Sequence, residues 1–206
     1  LWSWFVYGFP MVVNFKTLNA YVLDRNSPEH KGDFNELVCE ARLFTPDDKA
    51  VVTPNSDTPY CMGWLDIRNE PIVVSVPEME QERFYHFPLI DLYTHNFAYL
   101  GTLTTGNKAG KYLIAKNGWK GEKPEGINEV LYCETDIFFV VVRTQLMDEN
   151  DLPNVKAIQD KFQIQGLSSF LGKESIKSDK IDNFLKWNDG DELTNESFNY
   201  MNYMLN

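Results

Sequence analysis

The sequence is poor in cysteine, the residue that builds disulfide frameworks and many zinc sites. It has only three cysteines, Cys39, Cys61 and Cys133, in 206 residues. None belongs to a CxxC pair or lies beside a histidine, so no zinc or redox motif is built on them. Their odd number leaves at least one thiol free, implies no disulfide framework and fits a reducing compartment.

Positive charge is also scarce. The chain has 19 lysines and arginines against 30 aspartates and glutamates, which gives a formal net charge of -11. Such a surface repels phosphate backbones, so nucleic acid is excluded as a partner. The acidic residues are scattered rather than gathered in blocks, which is typical of a solvated surface.

A long apolar run is missing as well. The most apolar stretch is at the start of the chain, but Pro10, Asn14 and Lys16 interrupt it before it reaches the length of about 18 residues that a membrane span needs. It has no basic segment followed by a small-residue cleavage site. Because the chain begins at Leu1 rather than at a methionine, we expect a fragment or a processed form, and an earlier removal of a leader stays open.

Short strand-like segments dominate the middle of the chain. Turn residues such as Gly106-Asn107 and Asn117-Gly118 separate them, and no helix-length segment lies between them. This spacing is typical of an antiparallel sandwich or barrel and not of a parallel sheet with crossover helices. The final run is apolar on both faces up to Arg143, which predicts a central strand with residues 138–142 buried. The runs are YCMGWLDI, PIVVSV, RFYHFPLIDLYT, NFAYLG, KYLIAK, EVLYCE and DIFFVVVRTQL.

Helical periodicity flanks this region. Apolar residues at steps of three and four predict a helix over residues 11–23, with Pro10 in its first turn. Asp151 as the N-cap and Pro153 in the first turn predict a second helix. The apolar face of a third, beginning near Phe198, could be covered by the sandwich, by a further domain, or by a partner chain in a homo-oligomer. We therefore predict a mainly β protein with an N-terminal helical segment (1–35), a β-sandwich core (36–170), and a linker and C-terminal helix (171–206).

The order of several motifs resembles the DUF1254 family. The motifs are PNSDTPY, WLDI, PIVVSVPE, RFYHFPLIDLYTHNFAYLG, TTGNKAGKYLIA and DLPNVKAIQDKFQI. The resemblance as a whole covers roughly Val6 to Gly166. The resemblance implies an antiparallel, jelly-roll-like β-sandwich without a settled activity. It also implies a longer protein, in which a C-terminal DUF1214 region follows, of the kind found in the bacterial envelope or periplasm and in large viruses. The family often carries an arginine at the place of Ser56 and another near Leu103, so two positive charges are missing here.

The motif PNSDTPY has two interpretations. Asn55 and Asp57 can bond the backbone two residues further on, which forms an Asx-turn that leads into a strand at Tyr60. Alternatively, Asp57 faces a pocket together with Tyr60 and acts there as a hydrogen-bond acceptor or general base.

A second polar group lies in HFPLIDLYTHN. Strand alternation places Asp91, Tyr93 and His95 on one face, with Asp91 and His95 about 13 Å apart. They cannot share a metal ion unless the chain turns at Thr94, and no HxH or HExxH spacing occurs. No metal or cofactor is predicted. Asp91 is expected to satisfy backbone groups or to pair with Arg143.

Two functional hypotheses remain. The first is a binding or structural module of a larger protein, for a carbohydrate or another small molecule, since tyrosine and tryptophan on a sandwich face can stack flat rings. The second is a hydrolase. The absence of a nucleophile motif favours the first hypothesis. The candidate binding residues are Asn55, Asp57, Tyr60, Asp91, Tyr93 and Trp119, and the candidate catalytic residues, grouped around one pocket, are Asp57, Tyr60, Asp91 and Arg143.

Overall fold

The computed structural model describes residues 2–47, 55–176 and 184–205. Two β-sheets face each other, and helices cover part of the outer side of one of them. The five-stranded sheet has the order β1-β2-β8-β4-β5, and the four-stranded sheet has the order β7-β6-β3-β9. The strands are β1 (Val38–Glu40), β2 (Tyr60–Asp66), β3 (Ile72–Val76), β4 (Tyr85–Asp91), β5 (Asn96–Gly101), β6 (Gly110–Lys116), β7 (Glu129–Cys133), β8 (Ile137–Thr144) and β9 (Gln163–Gly166).

The strand predictions for the middle of the chain are confirmed as β2 to β8. β8 is the central strand of its sheet, between β2 and β4. The predicted burial of residues 138–142 is confirmed for Phe138, Val140 and Val142, which lie between the sheets. Phe139 and Val141 face outward, where they are half-buried and pack in the cluster that the helices cover. The jelly-roll-like arrangement stays a prediction.

One strand pair corrects the expectation of a wholly antiparallel fold. β6 and β7 are parallel, with Tyr112 opposite Glu129 and Lys116 opposite Cys133. The connection between them contains no helix. It returns along the sheet as a loop, and the backbone N–H of Asn128 donates to the carbonyl of Lys111 at 2.8 Å. A loop of this length can therefore replace the crossover helix that parallel pairs usually need.

The edge strand β1 corrects the interpretation of the cysteines. Its residue Cys39 lies directly opposite Cys61 of β2, and the two form a disulfide. Cys133 is the free thiol, and it is buried. Sequence spacing could not pair Cys39 with Cys61 because a three-residue strand has too few residues to show an alternating pattern.

The first helix, α1 (Trp2–Leu18), begins earlier than predicted and contains Pro10 in its interior. An interior proline removes one backbone hydrogen bond, so packing must stabilise the preceding turns. Gly8 allows close packing at this point because it has no side chain. A Cβ there would lie only 2.1 Å from Sδ of Met201 on the C-terminal helix. A π-helical turn, Asn19–Leu23, follows. Within the described residues, no helix is long and apolar enough to cross a membrane.

The C-terminal apolar face is covered by α1. The helix α4 (Ser197–Leu205) buries Tyr200, Met201 and Met204 in the cluster that contains Phe15 of α1. The sequence analysis named the sandwich, a further domain or a partner chain as the cover of this stripe. In the structure the stripe packs against a helix of its own chain. The predicted second helix is α2 (Leu152–Gln159), and α3 (Leu167–Phe170) is a single turn after β9. Part of the predicted linker lies outside the described residues.

Candidate functional site

Strand register places three polar or aromatic side chains in one row on the outer face of the five-stranded sheet. Arg143 of β8 lies opposite Tyr60 of β2 on one side and opposite His86 of β4 on the other. Residues directly paired across antiparallel strands point to the same face. Tyr60 belongs to the cluster covered by the helices. Arg143 therefore stands at the border between the covered and the open half of the sheet.

The open half forms a groove of about 550 Å³ over β4, β5 and the end of β8. Among the residues that line it are Phe84, His86, Tyr99, Leu103 and Arg143. None of the described lining residues is an aspartate or a glutamate. In a chain of net charge -11, a groove with a cation and no carboxylate favours an anionic or neutral ligand.

Gly101 determines the floor of the groove. It lies opposite His86 in the β4–β5 pair, so the residue directly across from the imidazole carries no side chain. A Cβ at this position would lie 2.7 Å from the carbonyl oxygen of Tyr85. Only glycine allows β5 to approach β4 this closely.

Arg143 is held by an aromatic ring rather than by a carboxylate. Its guanidinium carbon lies 5.5 Å from the centroid of the Tyr60 ring, a cation–π distance. Its Nε is buried without a hydrogen-bond partner. Among the described residues, no carboxylate lies within ion-pair distance of the guanidinium. The N–H donors of the two terminal guanidinium nitrogens are thus available to a ligand or to water, whereas the buried Nε–H is not.

The motif PNSDTPY holds Tyr60 in place. The backbone N–H of Asp57 donates to Oδ1 of Asn55, which confirms the Asx-turn interpretation for Asn55. Asp57 cannot make the same bond, because Pro59, two residues further on, has no N–H. The N–H of Asn55 donates to the Tyr60 hydroxyl at 3.0 Å, and β2 begins at Tyr60 as expected. The Asp57 side chain is exposed. This loop therefore acts on the groove through the ring that supports Arg143.

A ladder of nearly parallel rings runs along the groove beside Arg143. The rings of Phe84 and His86 have centroids 6.3 Å apart with an interplanar angle of 15°. Those of His86 and Tyr99 are 5.3 Å apart at 24°. Burial, and next the charge of Arg143, lower the pKa of His86. The imidazole is therefore neutral at pH 7, and Arg143 carries the positive charge of the ladder.

Asp91 lies at the opposite end of the sheet. It pairs with Phe138, five residues along β8 from Arg143, which is about 17 Å at the rise of a strand. The chain turns at Thr94, whose φ is 69°, so the N–H of His95 donates to Oδ1 of Asp91 at 2.9 Å. Burial raises the pKa of this carboxyl. Asp91 satisfies backbone groups, and a pair with Arg143 or a single pocket around all four catalytic candidates is not formed.

The remaining binding candidates lie in two other places. Tyr93 follows Asp91 in the turn and lines a separate cavity of about 400 Å³ at the ends of α1 and α4. Trp119 packs on the outer face of the four-stranded sheet with Val73 and Leu113. The described residues include no group of three His, Cys, Asp or Glu side chains that could hold a metal ion. The six predicted binding residues therefore do not form one site.

Comparison with known proteins identifies the family. The sequence model described as "Protein of unknown function (DUF1254)" matches residues 34–166, more than half of the chain. The chain belongs to the DUF1254 family. No curated protein matches this DUF1254 chain.

Two crystal structures resemble the DUF1254 chain. The VPA0106 protein from Vibrio parahaemolyticus matches with a TM-score of 0.76 at 24% sequence identity, over 97% of this chain and 44% of that one. This match supports the fold. The chain thus spans less than half the length of that protein. An uncharacterised protein from Burkholderia cenocepacia matches with a TM-score of 0.38 at 13% identity, over 94% of this chain and 46% of that one.

Sequence analysis placed Arg143 in a site but omitted the rings beside it. Phe84, His86 and Tyr99 were not among the candidate binding or catalytic residues. The signal that identifies them is alternation, because Tyr85 and Phe87 are fully buried and the residues between them must face the other side of β4. The alternation along β4 shows only that His86 faces outward. The register between β4 and β8 is needed as well, because it places Arg143 beside His86.

Proposed function

We propose that this DUF1254 chain is a small-molecule binding module and that the groove beside Arg143 is its binding site. The observation that carries the proposal is the guanidinium held against Tyr60 without a carboxylate partner among the described residues. A groove of about 550 Å³ has the size of many small-molecule sites, which span roughly 300–1,000 Å³. A ligand with an acidic group would supply the acceptors that the protein does not.

We prefer a binding function to hydrolysis for this groove. Hydrolysis in one pocket needs an acid or base within reach of the same substrate, and Asp91 lies at the far end of β8 from Arg143. A carbohydrate, the other ligand class predicted from the sequence, could stack on Tyr99 but would leave the charge of Arg143 unmatched unless it carried an acidic group.

We also propose that a DUF1214-like region follows this chain in the full-length protein, as the family resemblance implies. The chain covers only part of the Vibrio protein. Ligand binding is therefore best measured on the full-length protein, so that a groove wall contributed from outside the chain is not lost.

Thermal shift measurements with a metabolite library test this function. A ligand at a hundred times its Kd stabilises the folded state by about 2.7 kcal/mol, which raises Tm by roughly 5–10 °C in a domain of this size. The variant Arg143→Gln should lose the shift. Arg25→Gln should keep it, because that arginine pairs with Asp33 on the surface and does not line the groove. Ligands that stabilise the wild type and Arg143→Gln equally would overturn the proposal.

A further inference from the structure

The chemistry of the groove identifies a ligand class, and this step rests on the proposed function. We infer that the ligand is a small planar-ring carboxylate, with its carboxylate on the guanidinium of Arg143 and its ring on the ladder formed by Phe84, His86 and Tyr99. The inference depends on the charge, the rings and the wall of the groove.

The single positive charge of the groove matches a ligand with one negative charge. Arg143 is the one lysine or arginine among the described lining residues, and His86 is neutral at pH 7 because burial and Arg143 lower its pKa. A carboxylate accepts two parallel hydrogen bonds from one guanidinium fork. A phosphate dianion would bring a second charge that no described lining residue matches. The site therefore favours a carboxylate monoanion.

The rings beside Arg143 favour a flat ligand. Phe84 and Tyr99 are 37% and 41% exposed, and together with Leu103 they line one groove, which makes them part of an apolar patch of the kind that marks ligand sites. The small angles between neighbouring rings show that their planes are stacked, so a flat ring can join the stack. His86 is the direct strand partner of Arg143, and such partners have Cβ atoms about 5 Å apart. A carboxylate attached directly to a ring can therefore reach both groups at once.

Leu103 supplies an apolar wall. It is 87% exposed and lines the groove from the turn after β5. The turn is well fastened, because the carbonyl of Gly101 accepts from the N–H groups of Thr105 and Gly106 at 2.9 and 3.0 Å. The Tyr85 hydroxyl also donates to the carbonyl of Gly106 at 3.1 Å. An exposed leucine on a fixed turn gains burial when a ring enters beside it.

Three probes separate the charge from the ring. They are 2-naphthoate, the neutral 2-naphthalenemethanol with the same ring system, and cyclohexanecarboxylate with the same charge but no flat ring. Isothermal titration calorimetry on the full-length protein should show 2-naphthoate binding at least tenfold more tightly than either of the others. Arg143→Gln should abolish the preference for 2-naphthoate over the alcohol, and Tyr99→Leu should weaken both naphthalene probes while leaving cyclohexanecarboxylate unchanged.

Controls keep the inference separate from the proposed function. Arg143→Lys should retain part of the carboxylate preference, Arg25→Gln should retain all of it, and circular dichroism should show that each variant is folded. Equal affinities for 2-naphthoate and the alcohol, or for the two carboxylates, would overturn the inference. If the three probes fail but an Arg143-dependent library ligand exists, the ligand class is wrong and the binding function stands. Without any Arg143-dependent ligand, both are wrong.

Discussion

Arg83 is a buried cation that links the loop before β4 to the start of α2. Its removal tests how much this link stabilises the fold. The residue lies between β3 and β4 and is 2% exposed. Nη1 donates to Asp151 at 2.7 Å and to the carbonyl of Gln145 at 2.7 Å. Nη2 donates to Asp151 and to Glu80, both at 3.0 Å, and Nε donates to Glu80 at 2.8 Å. All five N–H donors of the guanidinium therefore have an acceptor.

The substitution Arg83→Met should destabilise the protein by roughly 3–5 kcal/mol, because it leaves the buried carboxylate of Asp151 without its cation. Glu80 adds little to this cost, since its side chain is about half exposed and turns to water. Urea denaturation at pH 7, followed by tryptophan fluorescence, measures the loss. The double variant Arg83→Met/Asp151→Leu should recover part of it, because both charges are then absent.

The pH dependence has a definite sign. The hydrogen bonds from Arg83 hold the pKa of Asp151 well below its usual range. A carboxyl with a lowered folded pKa stabilises the folded state above its unfolded pKa of about 3.9, and this contribution is lost as the pH falls below that value. In Arg83→Met the buried carboxyl protonates more easily, so the difference from the wild type should shrink between pH 7 and pH 4.

A surface pair provides the matched control. Lys156→Met on α2 breaks an exposed pair with Asp160 and should cost less than about 1 kcal/mol. If Arg83→Met costs no more than Lys156→Met, or if the difference from the wild type grows as the pH falls, the reasoning is wrong.

Two further predictions concern the cysteines and the groove floor. Reduction of the disulfide between Cys39 and Cys61, which are 22 residues apart, should cost about 3 kcal/mol by chain entropy. Thiol titration of the unfolded protein should find one thiol before reduction and three after it. The folded, unreduced protein should react slowly at pH 7, because burial raises the pKa of Cys133 to about 11. Gly101→Ala should destabilise the folded state by about 1–3 kcal/mol and weaken ligand binding, since the added Cβ meets the carbonyl of Tyr85. An unchanged midpoint of unfolding in urea would contradict this.

The strands that sequence analysis identified have five to eight residues, which is long enough to show an apolar or alternating pattern. The run that forms β8 is apolar on both faces because helices cover one side and the second sheet covers the other. β1 and β9 were missed because they have only three and four residues, too few to show an alternating pattern. The early start of α1 was missed because Pro10 signals a helix start locally, whereas contact with Met201 comes from the far end of the chain.

The site was partly predictable for a related reason. Arg143 stands out as a charge at the end of an apolar run, and the turn around Asn55 follows from local side-chain chemistry. Which strands lie beside β8, and in which register, depends on long-range pairing that no local pattern encodes. Asp91 was therefore grouped with Arg143 and His86 was left out. The strand partners of Arg143 are Tyr60, which was included in the predicted group, and His86.

The contrast between the two arginines has a consequence for how mutations in this protein will be interpreted. For Arg143, stacking on Tyr60 is worth about 0.5–2 kcal/mol, and the buried, unbonded Nε costs about 1–3 kcal/mol, so the two nearly cancel. A survey that ranks substitutions by abundance in cells would single out position 83 and overlook position 143. A survey selected on ligand recognition should rank position 143 far higher than abundance does, so neither alone describes the protein.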